Sequence, residues 1–208
     1  MNGLPISRLN DGFRDFVYRM RKDPLLLEVL YLSVVTFDNT AKEVLPLSDL
    51  TGIIDNQLLT CPRSGGAMLG EGLEMVIRKV GCEVKQWTDN AKSDWLPILF
   101  VILDGKASDQ QTVQLCVEPL LACGLKKIFS FAYGPKADET ILRRFSNFVF
   151  KTGYDNGGNV FRYCFQLCQN ILGAKIEAPL STGDAWDEDL LFNIPESTAI
   201  QLVHIKQI

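Results

Sequence analysis

The chain has 208 residues, of which 47% are hydrophobic, and its formal net charge is −4 at pH 7. That length and apolar content favour a single domain with a sizeable core. The acidic balance argues against nucleic-acid and anionic-membrane surfaces, which need clustered Lys and Arg, and we interpret the short basic pair Arg21-Lys22 as a solvated helix or strand end. No uncharged apolar run approaches the roughly 18 residues that span a bilayer, and the polar start of the chain argues against a secretory signal. We therefore expect a cytoplasmic protein that binds neither nucleic acid nor membrane.

The six cysteines and the one histidine restrict the chemistry available to the chain. No two cysteines have the Cys-x-x-Cys spacing of redox or zinc sites, so we expect thiols that are mostly buried. Cys164 and Cys168 lie four residues apart on a predicted helical stripe with Phe161, which favours core packing over metal binding. His204 lies near the end of the sequence, where a catalytic base for Ser-His-Asp or Cys-His chemistry is not expected.

Apolar spacing predicts alternating helices and strands in the first half of the chain. A first helix has Pro5 in its first turn and ends at Asp23-Pro24. Residues 29–37 predict a strand, and residues 43–47 predict its neighbour across a turn. A second helix follows a glycine-rich loop. The two helical stripes are Leu9, Phe13, Phe16, Val17 and Met20, and then Leu69, Leu73, Val76, Ile77 and Val80.

The second half continues the alternation and adds a tail. Residues 96–103 are continuously apolar, as in a strand buried on both faces of a parallel sheet. The elements predicted after it are a helix that ends at Gly124, a strand over 127–133, a short helix after Asp138, a strand over 148–151, a helix over 160–172 and a candidate edge strand in 199–208. Together these elements predict a doubly wound α/β domain with a mostly parallel sheet over residues 1–175, followed by a tail over 176–208.

The loops at the carboxyl ends of the strands carry the candidate site, because ligands of doubly wound domains bind there. These loops are Asp38-Asn39, residues 64–68, residues 104–109 and residues 134–138. The glycine-rich loop is not a phosphate-binding loop, because Glu71 follows Gly70 where Lys and Ser or Thr are required. We interpret its glycines as serving tight turns of the backbone.

Three segments in a fixed order resemble a von Willebrand factor A domain: the strand over 32–37, the glycine-rich loop over 64–70, and the strand over 98–105 that ends in Asp104-Gly105. The resemblance implies a central sheet topped by a divalent-cation site. In that family the ligands are an Asp-x-Ser-x-Ser loop, a Thr in a Gly-Gly-Thr loop and an Asp in a Thr-Asp-Gly turn. This chain lacks the first motif, has Ala67 at the Thr position and keeps only Asp104. We therefore expect no resident cofactor, with Mg²⁺ or Mn²⁺ bound only where the first motif is present.

Within that family, the chain is most similar to stand-alone bacterial proteins associated with tellurite resistance. The similarity lies at Asn10-Asp11-Gly12-Phe13, at Asp23-Pro24, over 129–135 and in the closing helix over 161–172. It implies a non-enzymatic adaptor for kinase- or phosphatase-type proteins in stress or phage response. The implied binding surface, here called the loop face, is Ser64, Gly65, Gly66, Ala67, Met68, Asp104 and Gly105. A metal-dependent binder is one alternative. A hydrolase or nucleotide-binding protein is another, although the chain has no Gly-x-Ser-x-Gly elbow.

The resemblance also implies a central strand that these residues do not include. In that family the first strand lies at the centre of the sheet and leads into the first motif. Its absence would leave about ten backbone groups unpaired at roughly 1–3 kcal/mol each, which rivals the stability of a whole domain. Three sources of the strand are open: residues that precede Met1, a partner protein, or residues 200–205. We favour the first and place the third last, because Gln201 and His204 are polar and a central strand is apolar on both faces.

Overall fold

The structure is a computed structural model that describes residues 4–53, 59, 65–84, 97–177 and 200–205. The helices in these ranges are α1 (Leu4–Lys22), α2 (Pro24–Val29), α3 (Leu69–Glu83), α4 (Gln110–Ala122), α5 (Glu139–Leu142) and α6 (Gly157–Glu177), with a 3₁₀ turn at Tyr154–Asn156. The strands are β1 (Tyr31–Phe37), β2 (Ala41–Asp49), β3 (Ile98–Leu103), β4 (Lys127–Tyr133), β5 (Phe148–Thr152) and β6 (Ile200–Ile205). The prediction of a mixed α/β chain is confirmed. No helix in these ranges is long and apolar enough to cross a membrane.

The strands form two sheets that share no backbone pairing among the described residues. β1 and β2 make an antiparallel pair, whereas the larger sheet has the order β3-β4-β5-β6. The pairs β3–β4 and β4–β5 are parallel, and β6 runs antiparallel along β5. Residues 200–205 therefore lie at the outer edge of the larger sheet, where Phe148 pairs with Ile205. The alternative in which this segment fills a central gap is wrong.

Alternation along each strand divides the core into two layers, because successive side chains point to opposite faces of a sheet. Phe129, Phe131, Phe148 and Phe150 face one layer, which contains the apolar stripes of α1 and α6. Ile128, Ala132 and Val149 face the other layer, which contains α3, α4 and α5. On the first face the phenylalanine rings stack from strand to strand, with centroid distances of 5.1 Å for Phe129–Phe148 and 5.3 Å for Phe131–Phe150. Helices thus cover both faces of the larger sheet.

Glycine lets α1 and α6 cross closely over the first face of the sheet. A Cβ atom at Gly12 would lie 2.8 Å from the Gly158 Cα atom and 3.0 Å from the Gly157 carbonyl oxygen. Both are backbone atoms that cannot rotate away. A Cβ atom at Gly157 would lie 3.1 Å from the Leu9 backbone nitrogen, whereas one at Gly158 would meet nothing within 4 Å, so each helix contributes one glycine that the crossing needs.

The predicted ends of several elements are confirmed by capping contacts. The Asp138 carboxylate accepts hydrogen bonds from the backbone N–H groups of Thr140 and Ile141 at the start of α5. Gly124 follows α4 with φ of 96°, the left-handed conformation that ends a helix most easily with glycine. Both capping residues lie within a few positions of the helix that they start or end, which is why the sequence alone predicts them.

The interval between α1 and β1 differs from the prediction. Residues 29–30 were expected to begin the strand, but Val29 ends α2 and β1 begins at Tyr31. The Asp23 carboxylate accepts from the N–H groups of Leu25 and Leu26, and Pro24 occupies the first helical turn. Asp23-Pro24 therefore starts a helix as well as ending one, because an acidic cap followed by Pro is also a helix start.

Arg21 and the cysteines give one correction and one confirmation. A solvated helix end was expected at Arg21, but its guanidinium donates to the carbonyl oxygens of Leu50 and Ile53 and so ties α1 to the turn after β2. Cys116, Cys164 and Cys168 are buried free thiols, and burial raises the pKa of each. Core packing is therefore confirmed for all three.

Candidate functional site

The carboxyl ends of β1, β3 and β4 lie at one edge of the molecule, tied together by backbone hydrogen bonds. The N–H of Met68 donates to the carbonyl oxygen of Asp38 after β1, at 3.0 Å. The N–H of Ser108, after β3, donates to the carbonyl oxygen of Ala67 at 2.9 Å. The N–H of Asp138, after β4, donates to the carbonyl oxygen of Gly105 at 3.0 Å. The loop over 65–68 therefore holds the ends of β1 and β3 at the same edge.

Side chains reinforce the same loop. The Asn39 side-chain oxygen accepts from the N–H of Gly66 at 2.9 Å, and the Ser108 hydroxyl oxygen accepts from the N–H of Ala67 at 3.0 Å. Ser108 and Ala67 thus exchange two hydrogen bonds. Gly65, Gly66 and Ser108 are exposed, whereas Ala67 and Met68 are half-buried. Backbone groups that water would otherwise solvate are satisfied internally, so the loop has a defined shape.

The glycines of this loop provide space and not the tight turns that were expected. Positive φ angles in the described glycines occur at Gly124 and Gly134. A Cβ atom at Gly66 would lie 2.7 Å from the Ser108 hydroxyl oxygen, and one at Gly70 would lie 2.6 Å from the Thr112 Cβ atom. The loop therefore needs glycine because it lies directly against the segment after β3.

The N-terminus of α3 is already occupied by an acidic side chain. The Asp109 carboxylate accepts through Oδ2 from the N–H of Glu71 at 3.0 Å. A carboxylate at this place complements the positive end of the helix dipole. The Glu71 carboxylate in turn accepts from the N–H of Ala41 at 3.0 Å and anchors the start of β2. Two acidic groups at this helix start oppose the binding of phosphate, in agreement with the sequence.

Two tyrosines support the base of the loop face. The Tyr133 hydroxyl, at the end of β4, donates to the carbonyl oxygen of Tyr154 at 2.8 Å. Tyr133 is fully buried, and the burial raises the pKa of its hydroxyl to about 12. The Tyr154 hydroxyl reaches the carbonyl oxygen of Asp104 at 3.5 Å. Gly134 has φ of 90°, and any side chain there would overlap the Tyr154 ring.

The donor set at this edge does not fit a hard divalent cation. Mg²⁺ and Mn²⁺ need several oxygen ligands, most of them carboxylates or hydroxyls. The described residues contain no group of three or more His, Cys, Asp or Glu side chains placed to hold a metal ion. Asp109 Oδ1 is buried without a hydrogen-bond partner in these ranges, but Oδ2 of the same carboxylate is committed to α3. The expectation of no resident metal stays a prediction.

The structure brings most of the predicted site residues to one edge. Gly65, Gly66, Ala67 and Met68 lie in the loop before α3, and Asp104 and Gly105 follow β3. Ser64 lies outside the described residues. Four further residues that hold the loops together were not among the predicted site residues: Asn39, Ser108, Asp109 and Tyr154. Asn39, Ser108 and Asp109 fall within the predicted loops and could have been included, whereas nothing in the sequence marks Tyr154.

A large cavity lies beside the loop face and extends between the two sheets. Its volume is about 1330 Å³. β1 and β3 line its two sides along their lengths, and α1, α6 and α3 line its two faces. At one end it reaches Gly66 and Asp104 of the loop edge. We call this cavity the strand slot.

No family model and no curated protein matches the chain. Two solved structures of proximal thread matrix protein 1 from the mussel byssus are similar in fold, each with a TM-score of 0.54. Their sequence identities to this chain are 16% and 17%. The similarity covers 78% of this chain but only 43% and 42% of the two matrix-protein chains, so this chain spans less than half their length. At this identity the comparison shows the fold alone.

Proposed function

We propose that this chain is a von Willebrand factor A-like, non-enzymatic module that binds a protein partner through the loop face. The observation that carries the proposal is the reciprocal pairing of Ala67 with Ser108, which locks the loop over 65–68 to the segment after β3 and so forms one surface. The fold class and the position of the loops at the carboxyl ends of the strands are consistent with the resemblance in sequence.

A locked surface favours binding because little conformational entropy remains to be lost when a partner docks. The loop face holds exposed backbone at Gly65 and Gly66 and the half-buried Asp104 and Gly105. Such a surface offers a partner hydrogen-bonding groups in fixed positions. It offers no described nucleophile paired with a base, which is the arrangement that covalent catalysis requires.

Binding through this surface is expected to be independent of metal. Ala67 presents a methyl group where a hydroxyl ligand would be needed, and Asp104 alone remains of the implied ligand set. We expect Ala67→Thr to leave Mg²⁺ and Mn²⁺ binding by this chain undetectable by titration calorimetry. A measurable gain in affinity would restore the metal-dependent alternative.

The test uses two glycine substitutions that fit the structure equally well. A Cβ atom at Gly105 on the loop face, or at Gly81 near the far end of α3, would meet nothing within 4 Å. Gly105→Arg therefore blocks the loop face without an internal clash, and Gly81→Arg is its matched control. Partners are captured from the native source with each variant, quantified by mass spectrometry, and then measured as purified proteins.

We expect a partner that binds the wild-type chain and Gly81→Arg with equal affinity and that Gly105→Arg no longer binds. Excess EDTA should leave that affinity unchanged. Equal binding by both variants would contradict a role for the loop face. Loss of binding in EDTA would contradict metal independence.

A further inference from the structure

Around α5 and the segment after β3, the exposed charged side chains are all basic. The acidic side chains of residues 104–109 and 134–152 are half-buried, namely Asp104, Asp109, Asp138 and Glu139. The exposed charged side chains of the same ranges, here called the basic surface, are Lys106, Lys136, Arg143, Arg144 and Lys151. A surface of this sign stands out on a chain whose net charge is −4.

Contacts among neighbouring residues join the basic surface into one area. The Glu139 carboxylate accepts from the Lys151 ammonium at 2.7 Å and from the Arg143 guanidinium at 3.3 Å. The N–H of Asp138 donates at 3.0 Å to the carbonyl oxygen of the residue before Lys106, which places this lysine beside the start of α5. The basic surface therefore extends from the segment after β3, across α5, to the end of β5.

The carboxylates within this area leave its outer side positive. Glu139 is shared between two cations, and Asp109 and Asp138 accept from backbone N–H groups at the starts of α3 and α5. Within the described ranges, neither Lys106 nor Lys136 forms an ion pair. The charge that faces solvent is therefore positive and attracts anionic groups.

The chain that connects α6 to β6 has to return to the basic surface. α6 begins after the carboxyl end of β5 and has 21 residues, a length of about 30 Å. It therefore ends towards the opposite end of the sheet, where Gln169 donates to Asp23 after α1. β6 begins at the carboxyl end of β5, where Gln201 pairs with Lys151. Residues 178–199, which lie outside the described residues, thus lead back to Lys151.

This connection carries the charge that complements the basic surface. Residues 178–199 contain no Lys or Arg. Their acidic residues are Asp184, Asp187, Glu188, Asp189 and Glu196. Because these carboxylates exceed the net charge of −4, the rest of the chain is slightly net positive. Most of them fall within residues 184–189, here called the acidic segment.

The acidic segment is close enough along the chain to reach the whole basic surface. From Asp189 to Ile200, where β6 begins, an extended chain spans up to about 36 Å. β3 lies two strand spacings from β5 in the larger sheet, a distance of about 10 Å. Even Lys106, which follows β3, is therefore within reach of carboxylates that approach from the end of β5.

We propose that the acidic segment binds the basic surface of its own chain. Its carboxylates form ion pairs with the exposed lysines and arginines of that surface. A single exposed ion pair contributes little, but a tethered segment is present at about millimolar effective concentration, so that several weak pairs suffice. The basic surface adjoins the loop face at Lys106 and shares no residue with it. The proposal concerns contacts within one chain and does not depend on a partner of the loop face.

Other anionic occupants are at a disadvantage at this surface. An acidic segment of a partner, or of a second copy, would have to displace a segment that is covalently tethered beside it. A nucleic acid would bring one phosphate charge per nucleotide to an area that also holds four half-buried carboxylates. The acidic segment of the same chain is present at every protein concentration.

The test is carbodiimide cross-linking of the dilute full chain, which joins a carboxylate to a lysine amine where the two lie in contact. Mass spectrometry of the digest identifies the lysine that is linked to the acidic segment. Lys42 is the control amine, because it is exposed on β2 and has no ion pair with any residue that the structure describes. We expect links to Lys106, Lys136 or Lys151 to exceed links to Lys42 by about tenfold or more. Salt at about 0.5 M should reduce them.

Two arginine variants test whether charge holds the segment in place. Arg144 donates to the neutral amide of Gln114, and Arg78 on α3 is exposed without an ion pair among the described residues. Arg144→Glu should lower the yield of these links by about threefold or more, whereas Arg78→Glu, with the same change in net charge, should leave it nearly unchanged. Arg144→Lys should retain the yield, and circular dichroism checks that each variant keeps its fold.

Each contrary outcome overturns the proposal. Equal links to Lys42 and to the basic surface would show that the acidic segment has no fixed site. Links between isotope-labelled and unlabelled chains would assign the surface to a second copy. A yield that neither salt nor Arg144→Glu changes would show that charge does not hold the segment. Absence of links to the basic surface in the purified chain would leave that surface to an anionic segment of another protein.

Discussion

β1 and β4 are both seven-residue strands of mainly apolar sequence, yet they lie in very different surroundings. Every residue of β4 after Lys127 is buried, whereas no residue of β1 is. Among the described residues, β4 lies between two parallel neighbours, whereas β1 has one neighbouring strand and borders the slot on its other side. An apolar sequence therefore makes a strand suitable for burial, but the strands and helices beside it decide whether it is buried.

β3 is intermediate between the two and shows the same effect within one strand. It pairs with β4 on one side and faces the slot on the other. Val101 and Leu103 are buried, and the other four residues of β3 are half-buried. In the part of the chain that the structure describes, the larger sheet is therefore complete around β4 and β5 and open at β3.

The largest expected difference between the complete and open regions comes from removing one phenylalanine from each. Phe131→Ala should lower the free energy of unfolding by about 3–5 kcal/mol, because Phe131 is fully buried and stacks on Phe150. Phe100→Ala should cost clearly less, because Phe100 is only half-buried beside the slot. Urea unfolding of both variants measures the two costs. Equal costs would mean that Phe100 is buried by an occupant of the slot.

Two tyrosines allow β4 and β1 to be compared by the pH dependence of the free energy of unfolding. Tyr133 ends β4 and is fully buried, which raises the pKa of its hydroxyl from 10.0 to about 12. The folded state holds this proton more tightly than the unfolded state. The resulting stability is complete below pH 10, is lost as the pH rises to about 12, and is on the order of 2 kcal/mol. Unfolding measured from pH 9 to 12 should show this loss.

Tyr133→Phe should reduce that dependence on pH and should also lower stability at pH 8, because it removes the hydrogen bond to Tyr154. Tyr31 begins β1 and is 62% exposed, so Tyr31→Phe is the matched control. An unchanged alkaline profile in Tyr133→Phe would contradict the assignment of the loss to this hydroxyl.

A third comparison makes the same Gly→Ala substitution in a helix over the complete part of the sheet and in a helix beside the slot. Gly12→Ala should cost about 1–3 kcal/mol, because its Cβ atom would meet the Gly158 backbone at 2.8 Å. Gly72→Ala should cost less, because its nearest neighbour is the Phe37 side chain at 3.3 Å, which borders the slot and can shift.

Gly158→Ala is the control for helix propensity in this comparison. Its Cβ atom would lie in open space, so we expect a neutral or slightly stabilising effect of up to about 1 kcal/mol. Thermal unfolding of the three variants gives the order. If Gly72→Ala cost more stability than Gly12→Ala, the neighbours of Gly72 would be less able to move aside than the backbone beside Gly12, contrary to our expectation.

The smallest effect concerns the reactivity of thiols and leaves stability unchanged. Cys82 is exposed and should react quickly with a disulfide reagent. Cys164 and Cys168 line the slot but are buried, and burial raises the pKa of both thiols, so they should react slowly in the folded protein. Mass spectrometry after timed labelling follows each site. Rapid labelling of Cys164 or Cys168 would show that the slot admits water and reagent to its walls.

The sequence predicts those features that depend on nearby residues. Asp138, Gly124 and the bounds of β4 are recognisable because a cap or a strand is encoded within a few positions. α2 was missed because Asp23-Pro24 gives the same signal for a helix end and a helix start. Arg21 was misjudged because its partners, Leu50 and Ile53, lie about thirty residues away.

The candidate site was predictable in position but not in its construction. The order of strands and loops places residues 65–68 and 104–105 at one edge. The need for glycine at Gly66 and Gly70 arises from Ser108 and Thr112, which the sequence does not pair with them. Tyr154 reaches the loop edge from the segment after β5, a contact that only the folded chain reveals.

β2 shows how the chain limits aggregation. Its outer edge carries Lys42, Glu43 and Pro46, all exposed, and proline cannot donate a hydrogen bond to a further strand. Stacking of one molecule on the next through this edge, which leads to fibres, is thereby opposed. Among the described residues, the strand edges of β1 and β3 that lack a neighbour lie inside, between apolar side chains of α1, α6 and α3.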